Sequence, residues 1–140
     1  MSIAENLENV RSQIAAAALT SGRSADAVTL VAVSKTWPVE TIEEAVAIGQ
    51  KVFGENKVQE ILAKVPAMAD DLQWHLIGHL QKNKVRKVLP LCACIHSIDS
   101  LELAQQVDRI AGELERKASV LVQVNVSCDE AKFGFSPESV

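Results

Sequence analysis

Thr29-Leu30-Val31-Ala32-Val33-Ser34-Lys35 has the composition of a buried strand that ends on a lysine. The fold can be inferred outward from this segment. The run is short, rich in β-branched residues and almost continuously apolar, as expected of a strand covered on both faces in a parallel sheet. A helical pattern follows, with Pro38 near its start and Gly49 just past its end. This stretch therefore predicts a strand followed by a helix, the repeating unit of a parallel sheet.

The same unit recurs along the chain. Further strands are predicted at residues 51–55, 72–78, 92–98 and 120–126, with helical patterns between them. Asn56 is placed to cap the helix after the second strand. Ahead of the first strand, Ser2-Ile3-Ala4-Glu5 indicates a capping box at the start of a leading amphipathic helix. This order predicts an α/β protein with a parallel sheet and helices outside it.

Alternating strands and helices fit both a doubly wound sheet and a closed eight-stranded barrel. No G-x-G-x-x-G follows the first strand, which weakens the dinucleotide-binding alternative. Ser136-Pro137-Glu138 indicates a helix start two residues before the end, and a five-stranded parallel sheet would leave two unpaired edges. We therefore expect residues 1–140 to form a single domain: the leading helix and the first five β/α units of a (β/α)8 TIM barrel whose C-terminal part is missing.

Composition and charge narrow the classes of partner. The 140 residues carry 14 basic and 18 acidic side chains, a net charge of −4, which provides no general field for nucleic acid or an anionic membrane. A basic run over residues 82–87 lacks interleaved aromatic residues and is interpreted as a solvated helix face. No apolar run approaches the ~18 residues of a membrane span, and the opening residues lack an export signal, so a cytoplasmic location is expected.

The cysteines and histidines do not form a metal-binding pattern. The three cysteines are an odd number without the spacing of a disulfide framework. Strand alternation predicts that Cys92 and Cys94 share one face of the fourth strand, as small buried side chains. His75 and His79 have the spacing of zinc ligands on a helix, but a predicted strand and Gly78 spoil that geometry. No metal site is therefore predicted.

Polar side chains cluster where the predicted strands end. In parallel barrels the working groups lie at the carboxyl ends of the strands. The polar residues at those ends are Lys35, Glu55, Asn56, His79, His96, Asp99 and Asn125. Strand ends meet water and are polar in most proteins, so no single residue establishes a site. Taken together, these residues predict one functional mouth.

Lys35 offers the most specific chemistry in this group. Its stem would follow an apolar strand, and a desolvated lysine amine is a nucleophile that can form a Schiff base with a carbonyl compound. The alternative is an ordinary solvated lysine at a strand end. His75, within the third predicted strand, either points inward toward a ligand or is a hydrogen-bonded core histidine.

Several long motifs occur in order along the chain. They are Val31-Ala32-Val33-Ser34-Lys35-Thr36, Phe53-Gly54-Glu55-Asn56-Lys57-Val58-Gln59-Glu60, Trp74-His75-Leu76-Ile77-Gly78-His79-Leu80-Gln81-Lys82-Asn83-Lys84, His96-Ser97-Ile98-Asp99 and Val124-Asn125-Val126. Together they resemble the pyridoxal phosphate homeostasis family, barrel proteins of the alanine racemase N-terminal type without a second domain. The resemblance spans nearly the whole chain.

The resemblance implies a cofactor, pyridoxal 5'-phosphate (PLP). Lys35 is implied as the residue that holds PLP as a Schiff base, with Asn56 beside the ring near its phenolic oxygen. His75, Ile77 and Asn125 are implied as further residues that line the same mouth. The groups that bind the phosphate and the pyridine nitrogen are expected beyond residue 140.

The implied function is intracellular PLP homeostasis, that is, a carrier that buffers PLP and delivers it to PLP-dependent apoenzymes, as a monomer or weak dimer. No established reaction is implied. The lack of tyrosine agrees with a carrier, since a two-base racemase needs a second acid/base group and tyrosine usually supplies it. The alternatives are a PLP-dependent amino-acid racemase or decarboxylase, and a cofactor-free Schiff-base aldolase that uses Lys35 directly.

Overall fold

Five parallel strands form the only sheet of the molecule, and they lie in sequence order. A computed structural model describes residues 1–140. The strands are β1 (Ala32–Val33), β2 (Val52–Glu55), β3 (Gln73–Leu76), β4 (Cys94–Ile98) and β5 (Val120–Val122). The helices are α1 (Ile3–Thr20), α2 (Val39–Ala47), α3 (Val58–Lys64), α4 (Val85–Val88) and α5 (Leu101–Glu113). Each strand pairs in parallel with the next one.

This strand order decides where the helices lie. Every crossover runs in the same direction across the sheet, from one strand to its immediate neighbour. Because such crossovers are right-handed, the helices that follow the strands fall on one face of the sheet. A doubly wound sheet instead reverses its order and carries helices on both faces. The observed topology is therefore that of a (β/α) barrel.

The leading helix begins where the sequence predicts. Ser2 Oγ accepts a hydrogen bond from the Glu5 N–H at 3.2 Å, and the Ser2 N–H donates to Glu5 Oε2 at 2.7 Å, which completes the capping box. The predicted cap at Asn56 is wrong: α3 begins one residue later, with Lys57 at the N-cap position and no side-chain cap. The predicted strands are all present, but β1 and β5 are shorter than expected.

The predicted placement of Cys92 and Cys94 on one face is also wrong. β4 begins at Cys94, whereas Cys92 ends the 3-10 turn Leu89–Leu91 and precedes the strand. This turn interrupts the alternation on which the prediction depended. Cys92 is buried in the core on the helix side, while Cys94 is half-buried beside His75 on the other face.

The core lies between the sheet and its helices in two clusters. The larger cluster joins β3 and β4 to helices α3, α4 and α5 around residues such as Leu76, Ile95 and Leu103. The smaller one joins β2 and β3 to α2, where the rings of Phe53 and Trp74 lie 5.4 Å apart. No helix is both long enough and apolar enough to span a membrane.

The opposite face of the sheet, here called the inner face, carries no helix. A Cβ built on Gly54 would lie 3.0 Å from Val31 Cγ1 and 3.4 Å from Ile77 Cδ1, so these three residues pack side by side across the strands. Val33 on the same face is 51% exposed. The inner face is therefore an accessible, largely apolar surface next to the carboxyl ends of the strands.

Candidate functional site

All of the polar strand ends meet at one edge of the sheet, as expected for parallel strands. The polar residues follow their strands by one to three positions: Lys35 after β1, Asn56 after β2, His79 after β3, Asp99 after β4 and Asn125 after β5. The apolar Ile77 lies at the same edge, directly after β3. His75 differs because it lies within β3, below this edge. The structure therefore brings the predicted site residues to one end of the sheet.

Lys35 occupies an exposed turn directly after β1. Ser34 continues the ladder by donating its N–H to the Gly54 carbonyl at 3.0 Å, and the chain then turns at Thr36, whose φ is +69°. Strand alternation, extended from Val33, predicts that Lys35 lies on the inner-face side; its side chain is exposed and makes no hydrogen bond to residues 1–140. Residues 1–140 do not bury the Lys35 side chain, so they do not provide the desolvation that the sequence predicts for its amine.

A group of polar residues around the buried Lys64, here called the Lys64 cluster, lies at and beneath that turn. It consists of Ser34, Thr36, Glu55, Glu60 and Lys64. The Lys64 ammonium donates to Glu55 Oε1 at 2.7 Å, to Glu60 Oε2 at 2.8 Å and to the Ser34 carbonyl at 2.9 Å. Ser34 Oγ donates to Glu55 Oε1 at 2.7 Å, and the Thr36 N–H donates to Glu60 Oε2 at 2.9 Å.

Hydrogen bonds within the cluster favour the ionised forms of Lys64 and Glu60. Burial alone would lower the pKa of Lys64, but hydrogen bonds from its ammonium to Glu55 and Glu60 outweigh burial and raise that pKa. The Lys64 ammonium and the Thr36 N–H both lower the pKa of Glu60. Glu55 is fully buried, and its Oε2 has no partner. A single lysine therefore pairs with two carboxyl groups, one at the end of β2 and one on α3.

Asn56 and Gly78 show how closely the ends of β2 and β3 approach each other. A Cβ built on Gly78 would lie 2.0 Å from the Asn56 carbonyl oxygen and 2.6 Å from its Oδ1. Only glycine can occupy that position without moving the neighbouring backbone. Asn56 itself is exposed at the edge, one residue from Glu55 of the Lys64 cluster.

His75 pairs with a second histidine on the inner face. His75 Nδ1 and His96 Nε2 lie 2.8 Å apart, and burial together with His96 lowers the pKa of His75, which favours its neutral form. The Cys94 sulfur completes a group of three metal-type donors within 4.8 Å of one another. Two nitrogens on one tetrahedral zinc would stand ~3.3 Å apart, given Zn–N bonds of about 2.0 Å. The shorter separation fits a hydrogen-bonded pair.

Contacts join the ends of β3 and β4 to the chain segment after β5. His79 Nδ1 lies 3.0 Å from Asp99 Oδ2, and the His79 ring stacks on Phe133 with centroids 4.0 Å apart. The Asn125 amide donates to the Asp129 carbonyl at 2.8 Å. Asn125 therefore uses its side chain to shape this loop, from which Phe133 stacks on the His79 ring.

Sequence reasoning did not find Lys64, Glu60 or the partnership of His75 with His96. The spacing of Glu60 and Lys64 by four residues was the available signal, but such pairs are common on solvated helix faces. The pairing of the histidines depends on the register of β3 and β4, in which His75 lies opposite Cys94.

Comparisons with known proteins show the family and the fold of this chain. The family model described as alanine racemase, N-terminal domain, matches residues 2–140. Two similar curated proteins are both named pyridoxal phosphate homeostasis protein. The one from Aquifex aeolicus is 40% identical over 141 residues, covering 100% of this chain and 62% of that protein. The one from Escherichia coli K12 is 44% identical over 137 residues, covering 94% and 58%.

Solved structures of similar sequence show the same fold. PipY of Synechococcus elongatus PCC7942 with PLP bound is 45% identical with a TM-score of 0.84, and the match covers 98% of this chain and 59% of that one. The same protein without PLP gives a TM-score of 0.86 at 44% identity, covering 99% and 60%. The predicted barrel fold is confirmed. The chain spans about 60% of the length of these relatives.

Proposed function

We propose that this chain, which belongs to the family of the alanine racemase N-terminal domain, binds pyridoxal 5'-phosphate through Lys35 and serves in PLP homeostasis as a carrier. The observation that carries the proposal is the position of Lys35. Its exposed side chain follows β1 at the carboxyl edge, while the residues on either side of it, Ser34 and Thr36, are hydrogen-bonded to Lys64 and Glu60. A free amine on a fixed turn is suited to covalent capture of an aldehyde.

The relatives support this choice of ligand. PipY, whose fold over these residues is the same, was solved with PLP bound. The curated relatives carry the name pyridoxal phosphate homeostasis protein over the same part of their sequences. Both observations favour a vitamin B6 aldehyde over the unspecified carbonyl substrate of an aldolase.

Schiff-base formation requires from the protein mainly that the Lys35 amine is held in position. The unprotonated nitrogen of Lys35 adds to the aldehyde carbon, a C=N bond forms, and the carbonyl oxygen leaves as water with the two amine protons. PLP supplies the aldehyde and an electron-withdrawing ring. The protein binds and orients the ligand, and hydrolysis of the same bond returns free PLP and the lysine.

The inner face has the character that an aromatic ring requires. Val33 and Ile77 present apolar surface next to Lys35, and Asn56 presents a polar edge at the end of the adjacent strand. His75 lies deeper on the same face and favours its neutral form, so it adds no charge below the ring. Asn125 contributes by ordering the loop after β5.

Three features favour a carrier over an enzyme. The chain contains no tyrosine to act as the second base of a racemase. The His75 and His96 imidazoles are hydrogen-bonded to each other. The names of the relatives state homeostasis and no reaction. We accordingly propose a cytoplasmic protein whose barrel is a single domain, a monomer or weak dimer, with PLP-dependent apoenzymes as recipients.

A spectral titration tests the proposal. PLP is added to the wild-type protein, to Lys35→Ala and to Lys57→Ala, a control that removes an exposed lysine near the same edge. Wild type and Lys57→Ala should develop the visible absorption band of a PLP Schiff base, and Lys35→Ala should not. A band retained in Lys35→Ala overturns the binding proposal, whereas rapid racemisation or decarboxylation of amino acids by the loaded wild type overturns the carrier role.

A further inference from the structure

We infer that Lys64 is a positioning residue for Lys35: it ties the turn that carries Lys35 to helix α3 through Ser34, Glu55 and Glu60. This inference rests on the proposed role of Lys35. Lys64 itself is buried on the helix side of the sheet and does not reach the inner face, so it acts only through the residues it holds.

The turn is held on both sides of Lys35. On the preceding side, the Ser34 carbonyl accepts from the Lys64 ammonium at 2.9 Å across 30 residues of sequence. On the following side, the Thr36 N–H donates to Glu60 Oε2 at 2.9 Å across 24 residues. The two peptide units that set the direction of the Lys35 side chain are therefore fixed by the same helix.

The conformation of Thr36 shows that the turn needs an external hold. Its φ of +69° lies in the left-handed region, which is unfavourable for a β-branched residue. Such a conformation persists only where surrounding contacts impose it. The hydrogen bond from the Thr36 N–H to Glu60 is a contact of this kind, and Lys64 holds the Glu60 carboxylate at 2.8 Å.

A lysine is well matched to this task. Its ammonium has three N–H donors, and the structure supplies three acceptors: the Ser34 carbonyl and one oxygen each of Glu55 and Glu60. An apolar residue at position 64 would leave two carboxylates without a cation. The buried Glu55 would then repel Glu60, and the Thr36 anchor would be lost with it.

The test uses two variants of different severity and a matched control. Lys64→Met removes the ammonium. Glu60→Ala removes the Thr36 anchor but leaves the Lys64–Glu55 pair, so it is the variant expected to stay folded. Lys51→Met is the control, since it removes a lysine from the exposed ion pair with Asp71 at the opposite edge of the sheet.

Two readouts separate positioning from general stability. The first is the rate at which the visible PLP band develops in the full protein, which should fall about tenfold or more in Glu60→Ala and stay near wild type in Lys51→Met. Glu60→Gln, which keeps an oxygen for the Thr36 N–H, should recover most of the rate. The second, measured without PLP, is amide hydrogen exchange at Thr36, which should accelerate in Glu60→Ala and Lys64→Met only.

The outcomes distinguish this inference from the proposal beneath it. A wild-type protein that forms no band overturns the role of Lys35 itself. A band that forms in wild type and fails in Lys35→Ala, but develops at the wild-type rate in folded Glu60→Ala, overturns the positioning role alone. Unchanged exchange at Thr36 in Glu60→Ala also contradicts it.

Discussion

The Nζ atom of Lys64 lies 2.9 Å from the carbonyl oxygen of Ser34, the residue that precedes Lys35, although 30 residues separate the two in sequence. This hydrogen bond joins the end of β1 to the last residue of α3. It places a buried ion pair directly beneath the proposed cofactor lysine. Stability and cofactor binding are therefore expected to depend on the same residues.

Loss of the Lys64 ammonium should destabilise the fold strongly. Lys64→Met leaves Glu55 buried without its cation, and breaking a buried pair in this way costs about 3–5 kcal/mol. The exposed pair of Lys51 with Asp71 should matter far less, so Lys51→Met is expected to change the free energy of unfolding only slightly. Urea denaturation of the three proteins measures both values, and equal losses would refute the distinction.

The stability contributed by the cluster should form a plateau in pH. The pKa of Glu60 is lowered from 4.5, so its contribution is present above that value and is lost as pH falls through the lower folded-state pKa. The pKa of Lys64 is raised from 10.5, so its contribution is present below that value and is lost as pH rises through the higher folded-state pKa.

This dependence can be measured as the free energy of unfolding of the wild type minus that of Glu60→Gln. The difference should be nearly constant from about pH 5 to pH 9. It should shrink on further acidification, because the Glu60 carboxylate, which only the wild type has, is then protonated. A difference that grows toward acid pH would mean that the pKa of Glu60 is raised in the fold.

Gly78→Ala should disturb the junction of β2 and β3. The new Cβ would lie 2.0 Å from the Asn56 carbonyl oxygen, a backbone atom that cannot move alone. We expect a loss of stability of about 1–3 kcal/mol or more, as for overpacking in a core, together with weaker PLP binding. Gly112→Ala in α5 is the control: its Cβ meets nothing within 4 Å, and alanine should stabilise the helix slightly. A Gly78→Ala protein as stable as wild type would contradict this close contact.

The three cysteines should differ widely in reactivity toward a thiol reagent. Burial raises the pKa of the Cys92 thiol to about 12, so Cys92 should react only when the protein unfolds. Cys128 is exposed and should react first, and Cys128→Ser should remove the fast phase. Labelling of folded protein followed by peptide mapping checks the order. Rapid labelling of Cys92 would show that its place in the core is misassigned.

Much of the fold could be predicted from the sequence because its signals are local. The apolar run before Lys35, the repeated strand-helix spacing and the Ser2 capping box each depend on neighbouring residues, and all are present in the structure. The end of β1 at Val33 could not be predicted, since the left-handed turn at Thr36 that follows it is hydrogen-bonded to Glu60, 24 residues away. A threonine gives no local indication of such a turn.

The candidate site was predictable in its location and less so in its construction. Parallel strands bring Lys35 and Asn56 to one edge whatever the packing details. The roles of Lys64 and of the His75–His96 pair required tertiary contacts, because neither residue type nor spacing distinguishes them from a solvated lysine and a core histidine. The prediction for Cys92 was wrong because the short turn before β4 interrupts the strand alternation.

The most direct measurement for the central claim is borohydride reduction of the PLP-loaded protein followed by peptide mass mapping. Reduction fixes the C=N bond, so the modified lysine can be identified. We expect one reduced cofactor per chain on the peptide that contains Lys35, and none on the peptides that contain Lys57 or Lys64. Modification of a different lysine, or a yellow protein that yields no modified peptide, would contradict it.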